Sequence, residues 1–557
     1  MASQPAALVL EGGTLIDGSG GSPVRNASIV IAGDRIQAAG PKGTVSYPPG
    51  ATIIDATGQH ILPGFIDMHV HYRDWMPQLL TSHGITSAVD LANDPDWIVA
   101  QKDGIDKGKI DGPRLWIAGQ GLGGPPNLTG VIEPFHGPEE ARKKARQNLN
   151  VGADLLKVYT HITPEELEAV VSEARGAGKP VMGHLNSLDA VQAARSGISA
   201  VAHATGIASA AIRDKDKLAQ FRLDNEIGLS VDFPQYLMAH ADVDKGLLEG
   251  VMGELLERNV GVEFNFVNIA KGVTPRCDQY ESFDVRLLNR PDLQYLPEDF
   301  KLRALSYNLW QDLSGEELSR LRLGLDIMQE FARKFAAGGG RVLVGTDIQA
   351  YVIPGVSYHR ELELLVDAGL SPMSVLVAAT SGNAQFLGKQ EDLGVVAPGK
   401  LADIVVIEGD PLASISNTRN VQMVIRNGKV MDRSYTPHYT NPLPRNVTVE
   451  WAGNPPPSIE RLTPGVAIEG SDTVMVEIAG RGFIKESIVA FDGYGLATTP
   501  VPESRLPGMS YQPMYGRLQA FIPRHLLLRP GTYPITVTNP KPRGGGSNAA
   551  YFLVRFA

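Results

Sequence analysis

A single cysteine, Cys277, among 557 residues excludes an intrachain disulfide framework and any cysteine-rich zinc site. If the protein holds a metal, histidines and carboxylates must ligate it. Lys/Arg-rich runs are missing too, and 51 basic residues against 61 acidic ones leave a formal net charge of −10. A mildly acidic chain of this kind is not expected to have nucleic acid as its main partner. No apolar stretch approaches the roughly 20 residues that span a bilayer. The start, MASQPAALVLEGG, has neither the basic region nor the long apolar core of a signal peptide. The compartment therefore stays open: cytoplasmic, or periplasmic or secreted if a leader was trimmed.

What is present is ordinary in composition, with 43% hydrophobic and 20% charged residues, and too long for one core, so two or more domains are expected. Residues 6 to 62 are short alternating runs broken by Gly, Asn and Pro, the rhythm of a small β-domain. From about 63 to 385, short apolar strands alternate with amphipathic helices. The strand candidates are GFIDMHV, TSAVDL, RLWIAG, LLKVYT, PVMGHL, AVAHA, VGVEFNF and RVLVGTD, and eight strands separated by helices predict an α/β fold of the (β/α)8, TIM-like barrel type. In THITPEELEAVVSEARGAG, Thr163 and Glu166 form a capping-box pattern, and Leu167, Val170, Val171 and Ala174 follow at helical spacing. Leu321, Leu325, Met328, Ala332 and Phe335 make a second such stripe. Two long segments interrupt the alternation, about 205–245 and 271–312; the latter follows the seventh strand and is either a lid or specificity element or a solvated decoration. β-rhythm returns after the barrel, so residues 1–62 and 386–445 are expected to build one composite small β-sandwich domain around the barrel of 63–385. Past a Pro-rich joint, residues 456–557 read as an all-β, immunoglobulin-like sandwich. Its aromatics Trp451, Phe483, Phe491, Tyr494, Tyr515, Phe521, Tyr533 and Phe552 are expected mostly in its core, and the domain either mediates a homo-oligomer or covers the barrel mouth.

Histidine is costly to bury without partners, yet GFIDMHVH ends an apolar strand with His69 and His71. Residues two apart in a strand share a face, so both rings project together into the barrel mouth. Alone, H-x-H is equally readable as two hydrogen-bonded core histidines. Lys157 in LLKVYT, His184 ending PVMGHL, His203 ending AVAHA and Asp347 ending RVLVGTD change the reading. All six lie at or near the C-terminal ends of predicted strands, where barrel active sites are built. An all-N,O set suits zinc, and also manganese, cobalt or iron. Lys157 favours two metals over one, because a buried neutral amine can take up carbon dioxide and bridge two cations as a carbamate.

These motifs, PGFIDMHVH, LLKVYTH, the spaced histidines of GHLNSLDAVQAARSGISAVAHA, GTD, and the tail AATSGNAQFLGKQEDLGVVAPGKLADIVVIEGDP, resemble the amidohydrolase superfamily over roughly residues 6 to 432. The likeness is greatest to its imidazolonepropionase-like and prolidase-like branch, and the last hundred residues resemble an IPT/TIG domain. The resemblance implies that His69, His71 and Asp347 bind one divalent metal, that His184 and His203 bind a second, and that carboxylated Lys157 bridges them. It further implies attack by a metal-bridged hydroxide, with Asp347 as the catalytic proton carrier, on an N-acyl amino acid, a dipeptide or a similar small carboxylate-bearing amide. The alternatives are a cyclic-amide or lactone hydrolase on the same centre, a mononuclear deaminase-like hydrolase, or a binding protein whose barrel is a relic.

Substrate contacts are read only by position. Arg73 completes an H-x-H-x-R pattern seen in dihydroorotase-like relatives, where the arginine holds a carboxylate; a salt bridge with Asp74 or Asp90 is the other reading. Tyr159 and Tyr236 are candidate pocket residues, and His161 either touches substrate or orients its loop. His359, in HRELELLVDAG, is expected to cap or orient a helix. Where branch members often carry GGH after the third strand, this chain has GLGGPPN.

Overall fold

The structure is a computed structural model that describes residues 7–124, 131–226, 233–305, 313–348, 352–445, 457–501, 514–540 and 545–557. Eight parallel strand stretches carry the central body: β1 (Phe65–Val70), β2 (Ile85–Asp90), β3 (Arg114–Ile117), β4 (Leu156–Val158), β5 (Val181–Gly183), β6 (Ala200–Val201), β7 (Gly261–Glu263) and β8 (Val342–Leu343). Each falls on one of the strands expected from the sequence. β1 pairs with β2 and β2 with β3; the chain beyond β3 pairs as Gly121–Gly123 with β4, and β4 to β8 pair in chain order. The last stretch returns to the first through a parallel bridge between Val70 and Ile348 and through Met68 N–H to the Val344 carbonyl at 3.0 Å. The strands thus lie in a three-stranded and a seven-stranded sheet that this bridge joins, an arrangement compatible with the expected TIM-like barrel. Every residue of β1 and β2 is buried, as strands covered on both faces must be.

Helices fill the outer layer. The helix Pro164–Gly176 carries the expected capping box between Thr163 and Glu166, and Leu167, Val170, Val171 and Ala174 are buried. The stripe from Leu321 to Phe335 lies buried along the helix Gly315–Ala337. Among the described residues, no helix is long and apolar enough to cross a membrane.

Both flanks of the barrel meet in one sheet, in the order Lys429–Val430, Val421–Arg426, Ile404–Glu408, Gln59–Pro63, Leu8–Leu15, Val24–Ala32 and Arg35–Pro41. The join is an antiparallel pairing of Val405 with Leu62. Past this sheet the chain runs back along the barrel, where Asn441 exchanges hydrogen bonds with Gln101 and Arg445 Nε donates to Asn93 at 3.0 Å. Residues 457 onward form a four-stranded and a six-stranded sheet around a core of their own. Phe483, Phe491 and Phe552 are in that core and Tyr515 and Tyr533 lie half-buried against it, but Tyr494 and Phe521 are exposed, and Trp451 lies outside the described residues.

The segment after β7 packs Leu287, Leu288, Leu293, Leu296 and Phe300 against Leu79, Ile353 and Val356, so it covers the stretches that follow β1 and β8. Trp75 meets Phe300 at 4.3 Å between ring centroids. Arg360, on the helix Val356–Asp367, grips Asp284 with two bonds of 2.6 and 2.8 Å, both side chains being buried. Removing one partner of such a pair leaves a buried charge uncompensated. Arg360→Ala is therefore expected to lower stability by about 3–5 kcal/mol. Urea unfolding checks this, and a change below about 1 kcal/mol, the worth of an exposed pair, would contradict it.

Candidate metal centre

At the C-terminal end of β1, Asp67 and His69 alternate with apolar residues and share one face. Asp67 does not face solvent: its carboxylate takes the Thr346 hydroxyl at 2.6 Å, the Thr346 N–H at 3.0 Å and the His69 N–H at 3.1 Å. These bonds lock the end of β1 to the Gly345-Thr346-Asp347 turn after β8. Burial pushes the Asp67 carboxyl up to about 8.

Asp347 sits at φ +49°, in the left-handed region that non-glycine residues adopt only when their surroundings hold them there, at about 1–3 kcal/mol each. His203, at φ +50° where the β6 strand breaks into a turn, is held in the same way. The result is convergence. Asp347 Oδ1 lies 3.3 Å from His69 Nε2 and 3.2 Å from His71 Nε2, and its Oδ2 lies 3.4 Å from His203 Nδ1. One donor atom each from His69, His203 and Asp347 falls within 4.8 Å of the others, the spacing of groups that share an ion. His184 stands beside them, its ring 4.8 Å from that of His203. Lys157 reaches in from β4, and its charge acts on His69, His184 and His203. All six expected ligands therefore meet at one end of the barrel.

The chemistry of these atoms fits a cation. His69 Nε2, His184 Nε2, His203 Nδ1 and Lys157 Nζ are all buried and have no hydrogen-bond partner. A buried polar atom left so costs about 1–3 kcal/mol, and four in one place are not accidental. Burial pushes the imidazoles of His69, His184 and His203 well below the ordinary histidine range, so each keeps a lone pair to offer. Burial also pushes the Lys157 ammonium down to about 8, against the pull of Glu263 and Asp347.

The sequence profile of the amidohydrolase family matches residues 60–220 and 318–431, which include all six residues expected as ligands. The chain belongs to the amidohydrolase superfamily. As a member of it, the chain resembles D-aminoacylase of Alcaligenes xylosoxydans xylosoxydans, at 43% identity over 94 residues, 16% of this chain and 18% of that protein. Adenine deaminase of Rubrobacter xylanophilus is 40% identical over 67 residues, 12% of this chain and 11% of its own length. The chain thus spans less than a fifth of these curated relatives. A solved Xaa-Pro dipeptidase with bound methionine in the active site superposes with a TM-score of 0.55 over 77% of this chain and 100% of its own, at 20% identity, a likeness of fold.

The other expected site residues divide. Tyr159 is half-buried with its ring 4.7 Å from that of His184. Arg73 Nη1 donates to the carbonyls of His71 at 3.1 Å and Tyr72 at 2.9 Å, closing the end of its own strand. Tyr236 is fully buried and its hydroxyl donates to the Ala204 carbonyl, so it braces the turn that presents His203. His161, at φ +61°, accepts the Gly124 N–H on its carbonyl at 2.9 Å and so ties two loops together, while burial lowers its imidazole. His359 is committed at both ring nitrogens, to Thr418 Oγ1 at 3.0 Å and to the His83 carbonyl at 2.9 Å, and it orients its helix. Of GLGGPPN, residues 125–127 lie outside the described residues.

Two functional groups escaped the sequence reading. Glu263 ends β7 fully buried, with Oε2 at 2.8 Å from His69 Nδ1, and the pull of the nearby Lys157 ammonium opposes the cost of burying its carboxylate. Its signal was available, since a carboxylate in the apolar run VGVEFNF poses the same question as Lys157 in LLKVYT. Asn268, whose Nδ2 lies 3.2 Å from Asp347 Oδ2, sits in the turn after β7 and had no periodicity to mark it.

Proposed function

We propose that this chain is a metal-dependent hydrolase that cleaves the C–N bond of an amide or peptide in a small, carboxylate-bearing substrate such as an N-acyl amino acid or a dipeptide. The observation that carries this is the approach of the His69, His71 and His203 imidazoles to the Asp347 carboxylate, with the unpartnered buried nitrogens of His184 and Lys157 close by. His69, His71 and Asp347 would hold one divalent ion, His184 and His203 a second, and Lys157, as a carbamate, would link them; zinc suits the donors. When bound, such ions supply Lewis-acid polarisation of a carbonyl and an acidified water.

The chain's own groups do the rest. Asp347 would take the proton of the attacking water and deliver it to the leaving nitrogen. The neutral imidazoles keep the pocket free of competing acids, and the ring of Tyr159 covers His184. The D-aminoacylase and dipeptidase likenesses support an acylated amino acid or dipeptide as substrate. Residues 457–557 are read as an IPT/TIG-type domain on their two sheets and separate core.

Elemental analysis of protein purified without chelator, beside a panel of N-acyl amino acids, dipeptides, lactones, cyclic amides and adenine, tests the reading. Two equivalents of a divalent metal and turnover of an acyl amino acid or dipeptide are expected. One equivalent or fewer, with deamination of adenine and no amide cleavage, would replace the proposal by the chemistry named for the adenine deaminase relative.

A further inference from the structure

We infer that β7 and the turn after it form a positioning arm for the metal centre, in which Glu263 fixes the ring of His69 and Asn268 fixes the carboxylate of Asp347. This rests on the metallohydrolase reading and adds two residues to it that neither bind metal nor touch substrate.

Glu263 Oε2 meets His69 Nδ1 at 2.8 Å, with side-chain exposures of 0% and 1%. An imidazole has two nitrogens. With Nδ1 donating its hydrogen to a carboxylate, the lone pair is left on Nε2, which is the atom facing Asp347. The bond therefore selects the tautomer, stops the ring from turning and makes Nε2 a better base toward a cation. Glu263 is itself held: Asn265 Nδ2 approaches Oε1 at 3.4 Å. Space is reserved for it. A Cβ on Gly345 would fall 2.0 Å from Glu263 Oε1 and 2.8 Å from the His69 backbone nitrogen. The glycine of the GTD turn is thus the residue that lets the carboxylate lie against the ligand strand.

Asn268 acts on the other side. Its Nδ2 donates to Asp347 Oδ2 at 3.2 Å and to the Asp347 carbonyl at 3.4 Å. These bonds hold both the side chain and the left-handed backbone of Asp347, leaving Oδ1 toward His69 and His71. Between the two, the Val267 N–H donates to Glu361 Oε2 at 2.7 Å, which fastens the arm to the buried helix Val356–Asp367. The short turn Phe266–Ile269 sets the spacing, so Glu263 and Asn268 reach different ligands from one rigid segment.

The test compares wild type with Glu263→Gln, Glu263→Asp and Asn268→Ala. Metal affinity is read by competition with a chromophoric chelator, kcat and KM are read separately, and thermal unfolding is followed in parallel. Glu263→Gln is expected to weaken metal affinity about 10- to 100-fold, and Glu263→Asp, which keeps the acceptor but withdraws it, by less. Asn268→Ala is expected to keep its metal and its KM but lose about 10- to 100-fold in kcat, the effect of a displaced reacting group. Metal affinity equal to wild type in both Glu263 variants, whatever their unfolding midpoints, would overturn the role of Glu263. An unchanged kcat in Asn268→Ala would overturn that of Asn268. Wild-type protein that takes up no metal would instead overturn the metallohydrolase reading, and this inference with it.

Discussion

Lys157→Met is expected to lower the metal content of the purified chain from two equivalents to one or fewer and to reduce kcat/KM by about a thousandfold, roughly 4 kcal/mol of transition-state stabilisation. The side chain lies on β4 with 1% exposure, and its Nζ has no hydrogen-bond partner. A buried ammonium in that state is costly, and burial already lowers it to about 8. On the proposed function the neutral amine would act as a nucleophile: its nitrogen would add to the carbon of carbon dioxide, a proton would leave to solvent, and the product would be a carbamate anion. That would convert the least suitable donor at the site into the most suitable one. Met keeps the length of the side chain and removes the amine. Urea unfolding in excess chelator, followed beside wild type, separates loss of metal from loss of fold, because the ammonium that Glu263 and Asp347 pull on has gone. Metal content unchanged in the variant would show that Lys157 links no ions, and one equivalent or fewer in both proteins would turn the reading to the mononuclear alternative.

Asp347→Asn tests the proton carrier. Asparagine has nearly the same shape and can still face His69, His71 and His203, but it cannot accept and return a proton at pH 7. The expected loss is about 10²–10⁴-fold in kcat, the range for a positioned general acid–base group, with KM changed far less. Metal content must be measured on the same preparation, since Asp347 is also placed as a ligand. A variant that keeps its metal and loses its rate supports proton transfer. One that keeps both its metal and its rate would remove Asp347 from that role. The φ of +49° at this residue favours asparagine over most other replacements, so misfolding is not an expected confounder.

The six candidate ligands stood out in the sequence because each breaks a local rule. His69 and His71 interrupt an apolar strand at period two, and Lys157, His184, His203 and Asp347 each stand at or beside the end of a run that should have been wholly apolar. Glu263 breaks the same rule at the end of β7, and reading it as strictly as the others would have found it. Asn268 breaks none. It lies in a turn, and its importance comes only from a contact with a residue 79 positions away. The substrate candidates show the converse. Arg73 and Tyr236 are types that bind ligands well, and Arg73 Nη1 and the Tyr236 hydroxyl also donate to backbone carbonyls at a strand end and a left-handed turn, contacts that no local pattern announces.

The sequence by itself determined the succession of eight apolar strands, the helices between them and the donors placed at the strand ends, since strand period, capping and hydrophobic stripes are local properties of the chain. Only the tertiary structure decided which imidazole nitrogen faces inward, which carboxylate orients it, and that Gly345 must leave room for Glu263. Those depend on distances of about 3 Å between segments far apart in the chain, set by closure of the barrel and by burial, and no local pattern encodes them.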